Sequence, residues 1–234
     1  MRDDQLIFFL GAPGSSWSRI AAILAYSPIL NLNLSDQSPE REYYIKTSKS
    51  WSHLVNHTGS YFGTGMEFGK NFENPRQSYN KISFKNEILK AFNEHDDERN
   101  YLVKSHSLAY DIDWLIETFP KAKIVGVIKQ PVEECVKWWK EAGGFNITYP
   151  NYDWYLDKDL EKEFNSQQYN LKKFVNECGY PLFGPTISFF KEKLKVDVEH
   201  EKVSQYIKAI QLLPPSGQGD PDYRTTTFFY NIDL

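Results

Sequence analysis

Residues 6–17 constrain the fold of this chain more than any other segment. They read LIFFLGAPGSSW, in which five consecutive apolar residues lead into a turn of glycine, proline and serine. Apolar residues then recur at helical spacing over residues 17–24. An apolar run, a glycine turn and an amphipathic stretch together predict a strand, a loop and a helix. Loop amides and a helix N-terminus attract anions, so the segment predicts a phosphate-binding loop.

This loop differs from the two commonest nucleotide-binding loops. A nucleoside-triphosphatase loop ends in Gly-Lys-Ser or Gly-Lys-Thr, whereas Gly14 is followed by Ser15, Ser16 and Trp17. The dinucleotide fingerprint is also absent, because no third glycine follows Gly11 and Gly14 at the required spacing. Taken alone, the segment is equally consistent with a buried first strand that ends in an ordinary glycine turn.

Two later apolar stretches end in positively charged residues. A strand pattern at 101–103 runs into Lys104-Ser105-His106, and another at 123–128 runs into Lys129-Gln130-Pro131. Helical patterns follow, over 111–119 and 132–140. Ligands bind an open α/β sheet at the carboxyl ends of its strands. The two strand ends are therefore predicted to join the first loop in one site.

The rest of the chain carries weaker patterns. Apolar residues at near-helical spacing predict helices over 84–93 and 157–176. The threonine- and aromatic-rich segment 225–230 favours a late strand or a packed tail.

These motifs resemble those of the sulfotransferases that use 3′-phosphoadenosine 5′-phosphosulfate (PAPS). In that family the first loop ends in Ser-Gly-Thr-Thr-Trp or a similar sequence, to which residues 13–17 correspond. A Lys-Thr-His strand end corresponds to residues 104–106, and an Arg-Asn-Pro strand end corresponds to residues 129–131. The 23 residues from His106 to Lys129 are close to the family's usual separation. The resemblance covers the first strand–loop–helix and roughly residues 100–140.

The resemblance implies a three-layer α/β fold in a single domain spanning residues 1–234. Its central sheet would be mainly parallel, with flanking helices and a P-loop-like first strand–loop–helix. Residues 27–99 would form either a loop-rich insertion or the acceptor side of the site.

The resemblance also implies a reaction and a set of site residues. The reaction is transfer of a sulfuryl group from PAPS to a hydroxyl or amine acceptor, with PAP as product and no metal. His106 would be the general base and Lys104 a catalytic cation. The residues expected to bind PAPS are Gly11, Ala12, Pro13, Gly14, Ser15, Ser16, Trp17, Lys129 and Lys137.

The sequence departs from the family at the loop. The family has Lys or Arg two residues before the loop glycine, where it contacts the phosphate that carries the sulfate, and Ala12 stands there in this chain. Lys104 is then the candidate cation, with Arg19 as the second choice. Lys129 keeps the charge of the family's arginine but lacks its bidentate fork. Two alternatives stay open: a catalytically silent nucleotide-binding relative, and a nucleotide kinase-like phosphotransferase, which the missing Gly-Lys-Ser disfavours.

Composition narrows the expected partners and location. Lys and Arg total 27 against 31 Asp and Glu, a net charge of −4, so we expect no nucleic-acid partner. The early apolar run of residues 6–10 is too short for a signal sequence or a membrane span. We therefore expect a soluble cytoplasmic protein, and the resemblance implies that its acceptor is a small molecule or a glycan. The two cysteines, Cys135 and Cys178, are no disulfide framework, and Cys135 is expected in the core.

Overall fold

The computed structural model describes residues 1–15, 17, 21, 30, 60–63, 69, 71, 72, 74–141, 157–178, 181–183, 201 and 225–230. Their strands are β1 (Leu6–Gly11), β2 (Ser60–Tyr61), β3 (Tyr101–Ser105), β4 (Lys123–Lys129), β5 (Pro181–Phe183) and β6 (Thr225–Tyr230). Their helices are α1 (Pro75–Ser78), α2 (Lys81–Leu89), α3 (Ile112–Thr118), α4 (Val132–Glu141) and α5 (Asp157–Cys178). Short 3₁₀ turns at Asp3–Gln5 and Ser107–Tyr110 precede β1 and α3.

The strands form one sheet in the order β2-β3-β1-β4-β6-β5. β1 lies between β3 and β4 and is parallel to both, and β2 is parallel to β3. β6 runs antiparallel to β4 and to β5. Every residue of β1 is buried, as expected of a parallel strand covered on both faces. The predicted α/β class, with helices flanking a mainly parallel sheet, is confirmed.

One face of the sheet packs into an aromatic core. Leu6, Phe8 and Leu10 of β1 enter it, together with residues of β3, β4, α2, α3 and α5. Phe84 of α2 is fully buried there, with its ring centroid 4.4 Å from Phe72. Burial of a phenylalanine side chain stabilises the fold by about 1.5–3 kcal/mol. This core holds β1 in place and so positions the loop that follows it.

The predicted strands extend further than the apolar runs that indicated them. β3 continues through Ser105 and β4 through Lys129, because both strands keep pairing after their polar residues begin. Of the two alternatives for residues 225–230, a late strand or a packed tail, the structure shows the strand, β6. The ends of these strands are set by pairing with neighbouring strands, which the sequence pattern does not show.

The helix predictions agree with α3, α4 and α5 to within two residues. α2 begins at Lys81, three residues before the predicted start, because the Asn80 side chain accepts hydrogen bonds from the amides of Ile82 and Ser83. Both α2 and β2 belong to the segment 27–99, so the described part of that segment contributes to sheet and core. Among the described residues no helix combines the length and apolar character needed to cross a membrane.

Candidate functional site

The sheet register brings the three sequence motifs to one edge. His106 follows β3 directly, and the pairing of β3 with β1 puts it level with Gly11. Val127 of β4 pairs with Gly11, the last residue of β1, so Lys129 lies two residues beyond the end of β1. The loop after β1 is therefore flanked by the carboxyl ends of β3 and β4. This edge is where open α/β sheets bind their ligands.

The loop of residues 11–15 is tight and fully buried. The Ser15 amide donates a hydrogen bond to the Ala12 carbonyl oxygen at 3.2 Å, which closes a turn. Gly14 has φ +74°, and a Cβ there would lie 2.7 Å from the Cys135 carbonyl carbon and closer still to its oxygen. Gly14 is thus required both by its left-handed backbone and by the approach of α4.

The Ser15 hydroxyl is the clearest candidate for an anion contact. Its side chain is fully buried, and its Oγ has no hydrogen-bond partner among the described residues. Oγ lies 3.2 Å from the point that a Cβ on Gly11 would occupy, so the two ends of the loop lie close together. An unsatisfied buried hydroxyl costs about 1–3 kcal/mol, and an accepting ligand oxygen would remove that penalty.

Ala12 lies in apolar surroundings. Its side chain is fully buried in a small apolar cluster between α4 and α5, whose other members are Val132, Cys135, Val136, Leu160 and Phe164. A lysine side chain in this position would be forced into apolar surroundings. The alanine therefore fits its site, and the loop has a packing role where the resembling family has a cation.

His106 is held against the loop by a hydrogen bond to Gly11 and by an aromatic contact with Trp17. Its Nδ1 lies 2.5 Å from the Gly11 carbonyl oxygen. The Trp17 ring centroid lies 4.4 Å from the imidazole at an interplanar angle of 57°, and Phe9 stacks behind Trp17 at 6.2 Å. Trp17 is buried, and its ring packs against the imidazole of His106.

Burial controls the protonation of His106, whose side chain is 6% exposed. Loss of solvation lowers its pKa from 6.5 to about 3, the hydrogen bond to Gly11 opposes this shift, and the charge of Lys104 adds to it. The imidazole is therefore neutral at pH 7. In this state it can accept a proton but is a weak base.

Lys104 and Lys129 are buried cations, 0% and 1% exposed. Register and side-chain alternation put both on the face of the sheet that carries Phe9. Lys129 lies four residue levels further along the strand direction, roughly 13 Å at 3.3 Å per residue, with β1 between them. Two cations so placed suit two separate anionic groups of one extended ligand.

Gln168 of α5 contacts the candidate site, and the sequence analysis missed it. Its Oε1 accepts a hydrogen bond from the Lys129 amide at 2.9 Å, and the Gln130 side-chain amide lies 3.5 Å away. Its Nε2 is buried without a partner among the described residues. The available signal was a polar pair, Gln167 and Gln168, within the otherwise apolar stripe of α5.

Three further residues singled out in the sequence differ in where the structure places them. Lys137 is exposed on α4, while its neighbours Cys135 and Val136 face the core, so it lies on a solvated face. Ser16 lies outside the described residues. Cys135 is buried as predicted, and burial raises the pKa of its thiol to about 12.

The sequence matches no known family model, and no curated protein is significantly similar to it. The resemblance to sulfotransferases therefore rests on the three motifs and their spacing.

Proposed function

We propose that this protein is a sulfotransferase that transfers a sulfuryl group from PAPS to a hydroxyl or amine acceptor. One observation carries the proposal: the glycine loop, His106 and Lys129 meet at the carboxyl edge of one sheet. These three motifs resemble motifs of the PAPS-dependent enzymes, and they occur in the same order along the chain. In this reading the first strand, loop and helix act as a P-loop-like unit for the 5′ end of the donor.

The described residues fit a donor with two anionic ends. Ser15 offers a buried hydroxyl without a partner in the described part of the chain, and Lys104 lies on the neighbouring strand. We assign both to the 5′-phosphosulfate. Lys129, at the far side of the loop, is assigned to the 3′-phosphate. The missing cation at Ala12 is thus replaced by a lysine from β3.

PAPS, when bound, supplies an activated sulfuryl group on a phosphate leaving group. His106 removes the acceptor proton as the acceptor oxygen or nitrogen bonds to sulfur. The bond between sulfur and the phosphate oxygen breaks, and its electron pair stays on the phosphate. Lys104 stabilises the negative charge that grows there.

The low pKa of His106 fits this role only in the presence of the donor. Burial and the Lys104 charge keep the imidazole neutral in the free protein. An anion beside Lys104 offsets that positive charge and raises the pKa of His106. We therefore expect the base to gain strength when the donor binds.

A second candidate function is supported by the surroundings of Ala12. Because this residue packs into the apolar cluster of α4 and α5, the loop has no place for the cation of the family. The chain would then be a catalytically silent relative that binds a nucleotide without transferring sulfate. The two candidates share the binding site and differ only in turnover.

Binding is tested by thermal shift with PAP, PAPS, ADP and ATP, the last with and without Mg²⁺. A ligand held only by the folded state stabilises it by RT ln(1 + [L]/Kd), about 2.7 kcal/mol at a hundredfold excess over Kd. PAP should raise the melting temperature more than ADP does. Equal shifts would show that no 3′-phosphate site exists, and a Mg²⁺-dependent ATP shift would favour the kinase-like alternative.

Two variants connect the shift to the site. Ser15→Ala removes only a buried hydroxyl, so the free protein should keep its stability while the PAP shift falls. Lys129→Met should reduce the PAP shift and leave the ADP shift nearly unchanged. Lys121→Met, at an exposed position before the opposite end of β4, is the matched control and should behave as wild type.

Turnover is tested with labelled PAPS and a panel of phenols, alcohols, sugars and amines. His106→Asn should lower the rate by roughly 10²–10⁴-fold with little change in PAP affinity. Lys104→Met should reduce both the rate and the PAP affinity. PAP binding without transfer to any acceptor would favour the silent relative.

A further inference from the structure

We infer that Gly11 is a positioning residue that fixes His106 as its Nδ1–H tautomer and so places the imidazole lone pair on Nε2. The inference concerns the chemical form of one side chain. Its catalytic meaning rests on the proposed function, but its test does not.

The first support is the hydrogen bond between the two residues. A backbone carbonyl oxygen has no proton to donate, so the atom 2.5 Å from the Gly11 oxygen must carry the hydrogen. That atom is Nδ1 of His106. The neutral state of the ring, set by its burial, leaves Nε2 without a proton. Free histidine favours the opposite neutral tautomer, so the protein has to impose this one.

The second support is the packing of Trp17 on both partners. The Trp17 ring contacts the imidazole, with a 4.4 Å centroid separation. Its Cβ also lies 2.6 Å from the point that a Cβ on Gly11 would occupy. A side chain on Gly11 would therefore displace Trp17, the residue that holds the imidazole. The absence of a side chain at Gly11 keeps carbonyl, indole and imidazole together.

The arrangement couples the loop to the base of the proposed reaction. Gly11 begins the loop whose other end carries the Ser15 hydroxyl. A change of backbone orientation at Gly11 would remove the acceptor of the His106 hydrogen bond. The ring would then be free to take the other tautomer, with its lone pair on Nδ1 facing the loop.

The test is ¹⁵N NMR of protein labelled at histidine, recorded at pH 7 without ligand. The His106 signal is assigned by its loss in His106→Asn. We expect a protonated Nδ1 and an unprotonated Nε2 as the single species. An Nε2–H signal for His106 in the wild-type protein would overturn the inference, whatever the activity proves to be.

Two variants test the role of the neighbours. Gly11→Ala should reduce the Nδ1–H fraction, and Trp17→Phe, a milder change that keeps an aromatic ring, should reduce it less. An unchanged tautomer in both folded variants would refute the positioning role. The exposed His95 is the internal control, and its spectrum should be the same in all these proteins.

The matched pair His106→Asn and His106→Gln gives an independent readout. The asparagine amide can replace Nδ1–H as donor to Gly11, whereas the longer glutamine places its amide near the position of Nε2. His106→Asn should therefore keep more folding stability and PAP affinity than His106→Gln. The reverse order would contradict the inferred hydrogen bond. Failure of PAP to bind to wild type would refute the proposed function while leaving the tautomer result intact.

Discussion

Acidification should destabilise this protein through His106, by an amount that its burial sets. The pKa of this residue falls from 6.5 in a solvated chain to about 3 in the fold, because burial disfavours the imidazolium. Between these values the unfolded chain binds the proton and the folded protein does not. The neutral His106 therefore makes its full contribution to the free energy of unfolding above about pH 6.5, and this contribution is lost as the pH falls towards 3.

The size of the effect follows from the two pKa values. At about 1.4 kcal/mol per pH unit, the full shift amounts to about 5 kcal/mol. Between pH 8 and pH 4.5 the expected loss is roughly 2–3 kcal/mol, before most carboxyl groups titrate. This is a large part of the 5–15 kcal/mol that typically stabilises a folded protein.

The assay is urea unfolding followed by tryptophan fluorescence from pH 8 to pH 4.5. His106→Asn removes the titrating ring and keeps a donor for Gly11, so the stability of wild type minus that of the variant isolates the histidine. This difference should be constant above pH 6.5 and should then fall with decreasing pH. His95→Asn makes the same substitution at an exposed histidine and is the matched control.

A wild-type-minus-variant difference that stays constant down to pH 4.5 would refute the reasoning. It would mean that His106 gains a proton in the fold as easily as in the unfolded chain. The conclusions that the buried imidazole is neutral at pH 7 and that it is a weak base in the free protein would then both be wrong.

Three further predictions concern the fold that supports the site. Gly14→Ala should destabilise the protein by more than about 1–2 kcal/mol in urea unfolding, because a left-handed backbone and a close contact with α4 act together; an unchanged midpoint would contradict the loop geometry. Phe84→Ala should cost about 3–5 kcal/mol, whereas Ile82→Ala on the same helix, at a side chain 73% exposed, should stay within about 0.5 kcal/mol; similar effects of the two changes would refute the assigned faces of α2. Cys135 should resist iodoacetamide at pH 8 in the native protein and react once urea unfolds it, as peptide mass spectrometry would show; rapid native labelling would contradict its burial.

The strand ends from which the site was predicted agree with the structure, because their sequence signals are local. A strand that ends in glycine, or in lysine and histidine, is visible within a few residues, and these strand ends do lie at one edge. Gln168 was missed because its partner, the Lys129 amide, is 39 residues away along the chain. Lys137 was placed by counting along α4, but its exposure depends on which side of that helix faces α5.

The sequence by itself determined the α/β class, the three central strands, and the glycine loop and strand-end lysines from which we predicted an anionic ligand. These features follow from hydrophobic periodicity and backbone preference, which act between near neighbours. Only the tertiary structure decided that Ala12 packs into an apolar cluster and that His106 is bonded to Gly11, 95 residues away. Such contacts depend on strand order and register, and so does the burial that keeps His106 neutral. Strand order and register cannot be inferred from a local sequence pattern.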